Sequence, residues 1–113
     1  MRAKMKAFLS LFAALAAFGL SAACTAADPK AALPTVQQVC QACHGLDGNS
    51  PIADNPKIGG QYPDYLAKAL RDYHSGARKH PVMNAMAQNL TPKQIEDLAA
   101  YYASQPAVLV TKH

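Results

Sequence analysis

The chain has 113 residues, with eleven Lys and Arg against seven Asp and Glu, a formal charge of +4, and 50% hydrophobic residues. That length allows one small domain. The basic excess does not indicate a nucleic-acid binder: Arg2, Lys4 and Lys6 sit in a terminal segment with another purpose, and from Asp28 onward eight basic residues face seven acidic ones, about +1.

Those three basic residues precede an apolar, alanine-rich run from Ala7 to Ala23, followed by small residues. This is the layout of a secretory signal peptide. The run is short and alanine-rich for a retained membrane anchor. Residues 1–27 are read as the signal peptide, with cleavage near Thr25-Ala26-Ala27, and 28–113 as the mature domain, placed in the periplasm. Cys24 follows Leu20-Ser21-Ala22-Ala23 and offers an alternative, lipidation and a membrane tether. Ser21 stands where such sites usually carry leucine. If Cys24 leaves with the signal, only Cys40 and Cys43 remain and no structural disulfide is available. A mature domain this small buries a low fraction of its surface and needs a staple.

The segment from Asp28 to Leu33 reads as a loose lead-in. Pro34 suits a first helical turn, and a short helix from Pro34 to Ala42 is expected to carry Val36, Val39 and Cys40 on one side. A loop with turn chemistry follows from Gly45 to Gly60. The second helix begins near Tyr62-Pro63. Its apolar stripe is Tyr62, Tyr65, Leu66, Ala69, Leu70 and Tyr73, and Gly76 stops it. Val82 to Ala87 is expected to form a short helical turn. Thr91 as N-cap, Pro92 and Gln94 then open a last helix with a capping box. Its apolar face is Ile95, Leu98, Ala99 and Tyr102, and Gln105-Pro106 closes it. Strand alternation is missing throughout, so the fold class is all-α.

Within this frame Cys40-Gln41-Ala42-Cys43-His44 carries the chemistry. Two thiols and an imidazole at this spacing form the attachment signature of a c-type haem. The thiols add across the two vinyl groups of the haem, and the histidine that follows binds the iron. A zinc site needs a second pair of ligands at ligand spacing, and a thioredoxin-like pair needs a βαβ context; both are missing. One motif implies one haem c, with its iron, per chain. For the second axial position the candidates are Met83, Met86, His74, His80 and His113. The two methionines share the stretch before the last helix, where the alternative role is core filling. A thioether there gives His/Met ligation and a raised potential.

The chain resembles the class I c-type cytochromes of the small, single-haem bacterial kind, over essentially the whole mature domain. The resemblance rests on Cys40 to Asn49, on Gly59-Gly60-Gln61-Tyr62 with Tyr65-Leu66, on Met83-Asn84-Ala85-Met86-Ala87, and on Ile95 to Tyr102. It implies a class I fold wrapped around the haem, with Met83 as the iron ligand and Met86 as packing beside it. It also implies a Pro56 carbonyl that accepts the ring N–H of His44, and Leu98 and Tyr101 as packing where the last helix crosses the first. Ala32 stands where the family usually has glycine, and with Pro34 nearby the first helix is expected to be short and its crossing altered. The implied activity is one-electron transfer, not catalysis, to redox partner proteins docking at the haem edge. Two alternatives remain: an electron-transfer subunit of a periplasmic dehydrogenase, and an open-site haem peroxidase or ligand sensor. Arg78, Lys79 and His80 form a basic turn that faces solvent, a haem propionate or a partner.

Overall fold

The helix signals become four helices in the computed structural model, which describes residues 25–108 and, ahead of them, Gly19. Apart from Gly19, the apolar run expected to be a signal peptide lies outside the described residues, as do Cys24 and His113. Helix α1 covers residues 33–44, as an α-turn at Leu33–Thr35, a π-helical segment at Val36–Cys40 and a final α-turn at Gln41–His44. Helices α2, α3 and α4 are Pro63–Ser75, Pro81–Ala87 and Pro92–Ala103. Among the described residues there is no strand, and no helix is long and apolar enough to cross a membrane.

The caps follow the chemistry of the sequence. Pro63, Pro81 and Pro92 each open a helix, where a missing N–H costs nothing. Gly76 ends α2 in the left-handed conformation at φ +81°. Thr91 and Gln94 form the reciprocal capping box of α4.

The core lies where α4 meets α1 and α2. Val36, Leu66, Ile95, Leu98, Ala99 and Tyr102 are its buried side chains, joined by Ala32 and Ala67. Ala32 caps the start of α1 and is fully packed into this cluster, so the small residue at that crossing lets α1 lie close to α4. Pro34 lies in the first turn, so α1 starts where the proline predicts, and it runs two residues past Ala42 to include the histidine.

Three expectations are corrected. Val39 is 39% exposed rather than facing the core with Val36. The π-helical segment, closed by Gln41 N–H to the Val36 carbonyl, puts more residues in the turn. Cys40 thereby returns over Val36 and Val39 swings outward. Tyr62 is 79% exposed because it sits at the N-cap, outside the helical stripe, and Tyr65 is also exposed. The lead-in is not loose: Ala31 and Leu33 close turns onto Asp28 and Lys30, and the Asp28 N–H donates to Asp97 Oδ1 at 2.7 Å.

Asp97 is the buried charge of α4, and Lys93 pairs with it one turn earlier. Burial alone would raise its carboxyl. The hydrogen bond and charge of Lys93 and the Asp28 N–H outweigh that and hold it below the usual range. A carboxylate lowered by folding stabilises the fold above its unfolded value, and that contribution disappears as pH falls through the folded one. Asp97→Asn is expected to cost about 1–3 kcal/mol at pH 7. The gap to wild type in denaturant melts should shrink below about pH 4. A gap that is constant with pH would contradict the role of the charge.

Candidate haem-binding site

The C-terminal end of α1 carries Cys40, at the close of its π-helical segment, and Cys43 and His44 in its final turn. Cys40 is half-buried and Cys43 exposed, and the two form no disulfide. Gly45 turns the chain out of the helix at φ +81°. The loop then folds back, so that His44 Nδ1 lies 2.9 Å from the Pro56 carbonyl oxygen, a distance at which the ring N–H donates to it. That bond leaves Nε2 as the free ring nitrogen.

The loop is held against α4 by contacts with two adjacent tyrosines. Tyr102 OH donates to the Gly45 carbonyl at 3.2 Å, and Tyr101 OH to the Leu46 carbonyl at 2.8 Å. Gly60 N–H donates in turn to the Tyr102 carbonyl at 2.9 Å. Gly48, at φ +75°, passes so close that a Cβ there would lie 2.8 Å from Tyr102 Cδ1. Tyr101 is thus more than packing. Its hydroxyl role was not legible because its partner is a backbone carbonyl 55 residues away.

Between the loop and helices lies an apolar cavity of about 220 Å³. Cys40, His44 and Pro56 line one part of it. Tyr65, Leu66, Leu70 and Tyr73 come from α2, Met83 from α3, and Leu98, Ala99 and Tyr102 from α4. Lys57 and Arg78, both exposed, are its charged residues. Met86 lies elsewhere: it is 44% exposed and lines a shallow groove with Val39 and Leu90. His74 Nδ1–H donates to the Ala87 carbonyl at 2.8 Å and so ties α2 to α3. His80 caps α3, its Nδ1 accepting the Met83 N–H.

Burial pushes the Cys40 thiol up, against the opposing effect of the Tyr102 hydroxyl. The Tyr102 hydroxyl is raised too, by burial first and then by the charges its neighbours Cys40 and Tyr101 would carry. The residues present fit a haem. A thiol and an imidazole line the same cavity, most of its other lining is apolar, and it includes cationic side chains suited to carboxylates. Among the described residues no three Cys, His, Asp or Glu side chains converge on one point, so a bare-metal reading of the thiols has no geometry behind it.

A family model described as cytochrome c oxidase, cbb3-type, subunit III matches residues 27–101. The chain belongs to the class I c-type cytochromes. Cytochrome c4 of Thiocapsa roseopersicina is 46% identical over 79 residues, covering 70% of this chain and 41% of that one. A thiosulfate dehydrogenase electron acceptor of Thiomonas intermedia is 39% identical over 101 residues, 88% of this chain and 46% of the relative. The crystal structure of reduced cytochrome c4 from Pseudomonas stutzeri superposes with a TM-score of 0.67 at 41% identity, over 72% of this chain and 47% of the other. The chain spans a little under half the length of these relatives. The all-α class I fold is thereby established, and the cytochrome carries covalently bound haem c with its iron.

Tyr102→Phe keeps the ring in the cavity wall but leaves the Gly45 carbonyl without its donor. The holocytochrome should lose about 1–2 kcal/mol in guanidinium melts followed at the Soret band, with haem content unchanged. Wild-type stability would show that this bond does not hold the loop.

Proposed function

We propose that the cytochrome is a one-electron carrier in which Cys40 and Cys43 would hold haem c through thioethers and His44 and Met83 would bind its iron. The observation that carries this reading is the shared cavity: Cys40, His44 and Met83 line one apolar space, and Met86 lines another groove. Haem c, when bound, supplies an iron that alternates between the ferric and ferrous states. The remaining work belongs to the chain. The Pro56 carbonyl orients the His44 ring through Nδ1–H. Met83 offers a thioether, and His/Met ligation raises the potential. Leu66, Leu98 and Ala99 exclude water from the cavity wall. Two protein ligands leave no open position for a substrate, which argues for transfer rather than catalysis.

The donor and acceptor are redox proteins that dock briefly over a small interface. The relative named as a thiosulfate dehydrogenase electron acceptor supports a dehydrogenase as electron source. The near-neutral mature domain makes local charge, rather than a strong overall field, the guide for docking. The signal-peptide layout supports export to the periplasm, where Cys24 either leaves with residues 1–27 or carries a lipid.

Met83→Ala should abolish the far-red sulfur-to-iron absorption band, lower the potential, and let the reduced iron bind carbon monoxide stoichiometrically. Met86→Ala should change none of these. The reverse pattern would overturn the ligand assignment, and rapid stoichiometric carbon monoxide binding by wild type would overturn the closed-site carrier. Mass spectrometry of the exported protein should give one haem on a chain that begins near Asp28.

A further inference from the structure

Asn84 follows Met83 in the chain and is absent from the cavity lining, yet its amide is bonded on every side. Nδ2 donates to the Tyr73 carbonyl at 2.8 Å and to the Arg78 carbonyl at 2.9 Å, and Oδ1 accepts the His80 N–H at 2.7 Å. Its own backbone N–H donates to the His80 carbonyl at 2.9 Å. Both amide hydrogens and the carbonyl oxygen are thus engaged. The three partners lie on the last turn of α2, in the connecting segment, and at the N-cap of α3.

A seven-residue helix such as α3 does not hold itself in place. Its far end is tied to α2 by the bond between His74 and the Ala87 carbonyl. Its near end, which carries Met83, is tied by Asn84. The same segment is braced by the Arg78 guanidinium, 4.8 Å above the Tyr73 ring. Aspartate lacks the two donors and would set a negative charge beside two carbonyls, and alanine has neither donor nor acceptor.

We infer that Asn84 is a positioning residue that clamps the connection between α2 and α3 and so holds the Met83 thioether at the cavity. The inference rests on the reading of Met83 as axial ligand. Asn84 would act through the backbone it pins, setting how readily the sulfur leaves the iron.

Imidazole titration of the ferric holocytochrome, followed by loss of the far-red band, measures how readily the methionine is displaced. Met83→Ala tests the underlying reading first: a band that survives there sinks the ligand assignment and this inference with it. With the band lost in Met83→Ala, Asn84→Ala is expected to bind imidazole about tenfold more tightly than wild type, the scale of one lost hydrogen bond. Thr91→Ala, which breaks the cap of α4, should lower the thermal midpoint while leaving imidazole affinity within about twofold of wild type. Wild-type affinity in Asn84→Ala, or an equal rise in Thr91→Ala, overturns the inference. If Asn84→Ala fails to assemble with haem, Asn84→Asp replaces it. That variant keeps the acceptor for His80 N–H and loses both donated bonds, with the same expected direction and the same overturning result.

Discussion

Tyr102 is the contact on which the haem site depends. Its ring is buried in the core of α4 and lines the cavity. Its hydroxyl holds the Gly45 carbonyl just past the histidine, and its own carbonyl receives the Gly60 N–H at the far end of the loop. One residue therefore links both ends of a loop that has no regular structure of its own. Such a loop would otherwise retain much of its conformational entropy. Pinned at Gly45 and Gly60, it can present the Pro56 carbonyl to His44 at hydrogen-bond distance. Gly48 matters for the same reason, because only a residue without a side chain passes this close to the Tyr102 ring.

The two sides of the cavity are supported in different ways. The histidine side is built into a helix end and reinforced by Pro56, Tyr101 and Tyr102. The methionine side rests on a short helix held at its two ends by His74 and Asn84. For the proposed carrier this division has a use. An iron that changes charge without changing its ligands needs little rearrangement of the protein, and side chains already pinned by hydrogen bonds have little freedom to rearrange. Helix α3 is short and buries only Ala87 among its residues, so the methionine side is where local opening would start.

Much of the architecture was legible because it is written in short-range chemistry. Prolines at helix starts, the Thr91–Gln94 box, Gly76 and the three-four spacing of Ile95, Leu98, Ala99 and Tyr102 act within one or two turns, and the structure follows them. The departures share a cause. A π-helical segment moved Val39 outward although the α-helical spacing had put it with Val36. Tyr62 counted as part of a stripe but precedes the helix. The lead-in looked unstructured because the carboxylate that binds it, Asp97, is 69 residues away.

The sequence alone determined that the chain makes helices and that its thiols and histidine are spaced for a covalent haem, since attachment chemistry depends only on neighbours along one helical turn. It also narrowed the other ligand to a stretch containing two methionines. Which of them faces the cavity was decided by tertiary structure: helix α3 turns Met83 inward and leaves Met86 exposed. The roles of Tyr101, Tyr102 and Asn84 were likewise settled only in three dimensions. Each donates to a backbone carbonyl brought near by folding, and a carbonyl, which every residue possesses, leaves no mark in the sequence.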